Sequence, residues 1–154
     1  MTTNRRLARL LVPAALTAAT AIPLATAPPA YADQVHCTTV PVNEDWSGTC
    51  YRIPNDGDSG GVSGDAYVRS NRAADFARIQ FKAKGENFYL KTKYEDASFW
   101  AYYYYDGEWL PFFTRVQLDA DESQTINKTL SEGRRVDIMA CVRAGCARIN
   151  TLRS

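Results

Sequence analysis

The sequence predicts an all-β protein, an antiparallel β-sandwich of crystallin- or jelly-roll-like kind, stapled by two local disulfides. Three observations carry that expectation. Apolar and polar side chains alternate with a two-residue period along several segments, which turns one face of each to a core and the other to water. Turn residues recur roughly every ten positions, the rhythm of sandwiches and barrels. All four cysteines fall after residue 32 and make an even set, as in an exported disulfide framework.

Residues 1–32 read as a cleaved signal peptide. Arg5, Arg6 and Arg9 give a positive start, an apolar run extends from Leu10 to Leu24, and Ala30-Tyr31-Ala32 is a small-x-small cleavage site. Pro13, Pro23 and several threonines interrupt the run, so it does not suit a membrane anchor, which needs about 20 apolar residues. The remaining chain, residues 33–154, is expected to form a single secreted domain. It holds 122 residues with 15 basic and 17 acidic side chains. That near-neutral balance gives no footprint for nucleic acid, and after cleavage no membrane partner is expected.

The four cysteines allow three pairings. Cys37 and Cys50 bracket the turn-forming Asn43-Glu44-Asp45 and Ser47-Gly48, and Cys141 and Cys146 bracket the loop Val142-Arg143-Ala144-Gly145. Facing Cβ atoms across a hairpin come within roughly 4.5–5.5 Å, which favours Cys37–Cys50 and Cys141–Cys146. A zinc site would need histidine partners or denser thiols, and the one histidine is His36. No metal or cofactor is expected.

Asn55 to Asp65 reads as a glycine-rich surface loop. Its Gly57-Asp58-Ser59-Gly60-Gly61 resembles the string around the nucleophile of chymotrypsin-like serine proteases, with His36-Cys37 in the place of the general base. A Ser59/His36 hydrolase is the enzymatic alternative, but that mechanism requires a third, buried Asp and two barrels. Only 22 residues separate His36 from Ser59, and no catalytic residue is assigned. Asp56, Asp58 and Asp65 raise calcium. However, the position where an EF-hand loop would supply a bidentate Glu is Tyr67, so a solvated loop is expected.

Ala77, Ile79, Phe81 and Ala83 alternate with Arg78, Gln80, Lys82 and Lys84. After Gly85-Glu86-Asn87, Phe88, Leu90 and Thr92 alternate in the same way, which predicts a hairpin. The next hairpin runs from Ser98 to Leu118 around Asp106-Gly107, a type I′ turn pair. Counted from that turn, Tyr104 faces Trp109, Tyr102 faces Pro111, Ala101 faces Phe112 and Trp100 faces Phe113. One face then carries Phe99, Ala101, Tyr103, Leu110 and Phe112. The other carries Trp100, Tyr102, Tyr104, Trp109, Pro111 and Phe113, and continues into Arg115. Either this hairpin is central and packed on both sides, with tyrosine hydroxyls reaching water, or the second face is an exposed aromatic platform for a ligand. A last hairpin is formed by Val136, Ile138 and Ala140 before Cys141 and by Ala147, Ile149 and Thr151 after Cys146.

Leu130-Ser131-Glu132-Gly133-Arg134-Arg135-Val136-Asp137-Ile138, then Cys141 and Cys146, together with the Ala- and Pro-rich leader, carry a resemblance. On these residues the chain resembles the small secreted, disulfide-containing β-sandwich proteins of filamentous actinobacteria, mostly of unassigned function. The resemblance implies a fold and an extracellular address, and no activity.

The expected function is non-catalytic: a binding module for an extracellular polymer or protein, with Trp100, Tyr102, Tyr104, Trp109, Phe113 and Arg115 as candidate contacts. The partner is an extracellular protein or carbohydrate. The rival is a protease inhibitor, for which Asn43–Gly48, braced by Cys37–Cys50, is the candidate loop.

Overall fold

A computed structural model describes residues 33–35, 37–40, 45–54, 60–93 and 95–154. The expected leader (residues 1–32), His36, Asn43, Glu44, Asp56, Asp58 and Ser59 lie outside the described residues. The described residues form eleven strands and no helix: β1 (Asp33–Val35), β2 (Thr38–Val40), β3 (Trp46–Pro54), β4 (Val62–Ser70), β5 (Phe76–Lys82), β6 (Asn87–Lys93), β7 (Ala97–Tyr105), β8 (Glu108–Leu118), β9 (Ser123–Asn127), β10 (Arg135–Val142) and β11 (Gly145–Arg153). All their pairings are antiparallel.

The strands make one hydrogen-bonded network that folds at a single joint, the pair Arg153↔Val62 between β11 and β4. On one side of the joint the order is β8-β7-β10-β11-β2, and on the other it is β9-β6-β5-β4-β3-β1. The two sides face each other as a sandwich. Phe88 on β6 meets Phe112 and Phe113 on β8, with ring centroids 5.0 and 5.5 Å apart. β10 returns to lie beside β7, while β9 pairs with β6 at the other end of the same sheet.

The two-residue period sets the core. Ala77, Ile79 and Phe81 of β5, Phe88, Leu90 and Thr92 of β6, and Val136, Ile138 and Ala140 of β10 are all buried. Backbone at positive φ makes the turns: Gly85 (82°) with Glu86 (46°) before β6, and Asp106 (48°) with Gly107 (89°) before β8. Both central residues of the second turn are left-handed, as a type I′ hairpin requires. Both expected disulfides are present, Cys37–Cys50 and Cys141–Cys146. They fit an oxidising environment, and no helix among the described residues is long and apolar enough to cross a membrane.

Several local expectations are corrected. Ser63, Gly64 and Asp65 are not loop but part of β4, with Asp65 opposite Gln80 of β5. Trp46, Ser47 and Gly48, the second half of the Asn43–Gly48 segment, are strand rather than loop, all three paired along β4. In β11 it is Leu152, not Thr151, that turns into the core, because a register shift between Val136 and Ile138 advances β11 by one residue.

Candidate functional site

Alternation along β7 sends Phe99 and Ala101 inward, fully buried, and leaves Trp100, Tyr102 and Tyr104 half-buried on the outer face. Trp109 on β8 pairs with Tyr104, and their rings meet edge to face at 5.4 Å. Pro111 stands opposite Tyr102. It is tolerated because β8 ends the sheet and its outer edge has no ladder to complete.

Phe113 does not belong to this face. The register slips on both sides of Ala101, so Ala101 pairs with Phe113 and Phe99 with Val116. The resulting bulge turns Phe112 and Phe113 alike toward Phe88, and both pack on the core. Arg115 takes the outer position, its guanidinium 6.0 Å from the Trp100 ring and its Nε donating to Ser98 Oγ at 3.2 Å. Five of the six expected contacts therefore share one surface. The hairpin lies at an edge of the sheet because β8 ends it, and the outer row is half-buried, between the packed and the exposed alternatives.

Guanidinium groups frame that row. Arg135 of β10 lies 5.4 Å from the ring centres of both Tyr104 and Trp109, and Arg134 lies 4.4 Å from that of Tyr105. Cation–π contact fixes these flexible side chains over the aromatic rings. The backbone before β10 is also held, because Arg134 N donates to Ser154 Oγ at 3.0 Å and Gly133 N donates to Ser154 O at 2.7 Å.

Asp137 stands beside the row on β10, directly opposite Tyr102 and on the same face of the sheet. It is 1% exposed and accepts a forked contact from Arg148 of β11. Nε donates to Oδ1 at 3.0 Å and to Oδ2 at 2.9 Å, and Nη2 donates to Oδ2. The hydrogen bond to Asp137 raises the Arg148 pKa further above its ordinary value, against the opposing effect of burial. This pair ties β10 to β11 beside the platform.

Two features escaped the reading of the sequence. A groove of about 440 Å³ crosses the outer face of β3–β6, lined by Tyr51, Tyr67, Phe76, Tyr89, Asp65 and Arg78 among others. Asp65 is 7% exposed and paired to Arg78 at 2.6 Å, while its Oδ1 has no hydrogen-bond partner. Burial raises its pKa above the ordinary carboxylate value, with Arg78, Gln80 and Lys82 pulling the other way. The second feature is a cleft of about 390 Å³ where the sheets join, lined by Arg52, Gly60, Val62, Arg135, Asn150, Thr151, Leu152 and Arg153. Alternation in β3, β4 and β5 could have revealed the groove. The cleft gathers four strands, β3, β4, β10 and β11, with no motif among them.

Among the described residues no group of three or more His, Cys, Asp or Glu is placed to hold a metal ion. Ser59 and His36 lie outside the described residues, as do Asp56 and Asp58. Asp65, the third carboxylate of the supposed calcium loop, is committed to Arg78 within the sheet. The chain matches no family model, no curated protein and no solved structure.

Proposed function

We propose that the protein is an exported, non-catalytic binding module that lays an extracellular polysaccharide along the outer face of β7. The observation that carries the reading is the contiguous row Trp100, Tyr102 and Tyr104, extended by Trp109 across the hairpin. Alternate strand residues stand about 7 Å apart, so the row from Trp100 to Tyr104 runs about 14 Å, long enough for a short stretch of sugar rings. Ring faces and edges suit the C–H faces of sugars, and Arg115 and Arg135 supply donors for hydroxyls. Two disulfides and the leader-like first 32 residues support an extracellular setting.

Co-sedimentation with insoluble chitin, cellulose and purified bacterial cell wall tests the proposal. The wild type is expected to be retained by at least one polymer. The double variant Trp100→Ala, Tyr104→Ala, with unchanged circular dichroism, is expected to lose at least tenfold in affinity. Retention by none of the polymers, or equal retention of the folded variant, overturns the reading.

A further inference from the structure

We propose that the cleft of Arg52, Arg135 and Arg153 is an oxyanion site, and that the polymer on the β7 face is acidic, its carboxylate or phosphate groups entering there. The inference rests on the reading of the β7 face as a polysaccharide platform and adds the charge of the ligand.

Four observations converge. Arg135 and Arg153 stand directly opposite each other in the β10–β11 ladder, where like charges repel, and Arg52 of β3 joins them across the sheet junction. No carboxylate is among the described lining residues of the cleft, and the nearest one placed by strand register is Asp33 of β1, opposite Arg52. Elsewhere the chain pairs such groups: Arg72 with Asp45, Arg78 with Asp65 and Arg148 with Asp137. The cluster is therefore not a by-product of a basic chain, since acids outnumber bases after residue 32.

The third observation is that Arg52 Nε is buried and has no hydrogen-bond partner. Buried donors are seldom left unmade, and a guanidinium fork matches a carboxylate or phosphate with two parallel bonds. An oxyanion in the cleft supplies the missing acceptor and relieves the repulsion between Arg135 and Arg153. Finally, Arg135 belongs to both places, since it lines the cleft and also lies over Tyr104 and Trp109. A polymer on the aromatic row therefore runs directly into the cleft.

The test uses soluble polymers of matched backbone: polygalacturonate against its methyl ester for carboxylate, and poly(glycerol phosphate) against polyglycerol for phosphate. Binding is followed by titration calorimetry at low and high salt. The wild type is expected to bind at least one acidic polymer more than tenfold tighter than its neutral counterpart, and to weaken with salt. Arg52→Gln and Arg153→Gln, both outside the aromatic row, are each expected to lose about tenfold for the acidic polymer, the scale of one hydrogen bond to a charged group. Their affinity for the neutral form should be unchanged. Arg153→Lys, which keeps the charge without the fork, should fall between, and it reads the same effect should a Gln variant fail to fold.

Equal affinity for acidic and neutral polymers, or unchanged acidic binding in the folded Arg variants, overturns the proposal. Should those variants be silent while Trp100→Ala, Tyr104→Ala abolishes binding, the cleft falls and the platform stands. Loss in the Arg variants with the aromatic double variant unaffected upholds the cleft and removes the platform.

Discussion

Replacing Arg148 by Met should cost the fold considerably more than replacing Asp137 by Asn, although each change breaks the same ion pair. The asymmetry follows from burial. The Asp137 side chain is 1% exposed and the Arg148 side chain 45%. Without Arg148, the carboxylate stays inside the sheet with no cation, and breaking a buried pair in this way costs about 3–5 kcal/mol. Without the Asp137 charge, the half-exposed guanidinium turns to water and Asn still accepts a hydrogen bond, so the loss is about 1–2 kcal/mol. In thermal melts of a domain this size, the first change lowers Tm by roughly 10–20 °C and the second by about 5 °C. Thermal melts of both variants at neutral pH check the argument. Equal losses would refute it.

Three further outcomes follow from the same structure. Disulfide loss should scale with the loop closed. Ser variants of Cys37–Cys50, whose residues are 13 positions apart, should lose about 3 kcal/mol in urea unfolding; those of Cys141–Cys146, 5 positions apart, should lose about 2 kcal/mol. Gly64→Ala should cost about 2 kcal/mol or more by the same measurement, because the new Cβ would lie 2.5 Å from the Tyr51 carbonyl oxygen and 2.6 Å from Leu152 Cδ2. Asp65 should behave opposite to an ordinary salt-bridged carboxylate. Its folded pKa is raised by burial, so the folded state holds the proton more tightly, and the stability of the wild type relative to Asp65→Asn should rise as pH falls from neutral through the raised pKa, then level off below the unfolded value near 3.8. A relative stability that falls on acidification would show that the Arg78 contact outweighs the burial.

The periodic segments were legible because burial in a sandwich repeats with the pleat. Ile79, Phe81, Phe88 and Leu90 needed only a two-residue count to be placed in the core. The two disulfides were legible because each bracketed a turn. The register of the long hairpins was not, because simple counting from a turn assumes an unbroken ladder. From Asp106-Gly107 the count holds through Tyr102↔Pro111, then fails at Ala101. No glycine announces the bulge; what drives it is the burial of two neighbouring phenylalanines against Phe88, a tertiary demand with no local signature. Asp65 was misread for a related reason. Its glycine-rich neighbours suggest a loop, yet the strand needs Gly64 because Leu152 and the Tyr51 carbonyl leave no room for a side chain.

The same bulges decide what the outer surface offers. Counted without interruption from Cys141↔Cys146, Arg135 would face Leu152, and the junction would carry one arginine of the β10–β11 pair beside an apolar side chain. The one-residue advance in β11 buries Leu152 and sets Arg153 opposite Arg135 instead. In β8 the slip removes Phe113 from the platform and brings Arg115 over Trp100. Each irregularity thus takes an apolar residue into the core and leaves a guanidinium outside beside an aromatic or another guanidinium. Core packing alone accounts for the first half of each exchange. It does not account for like charges kept opposite each other with no carboxylate between them, and that residue of unexplained cost is what a ligand with negative groups would remove.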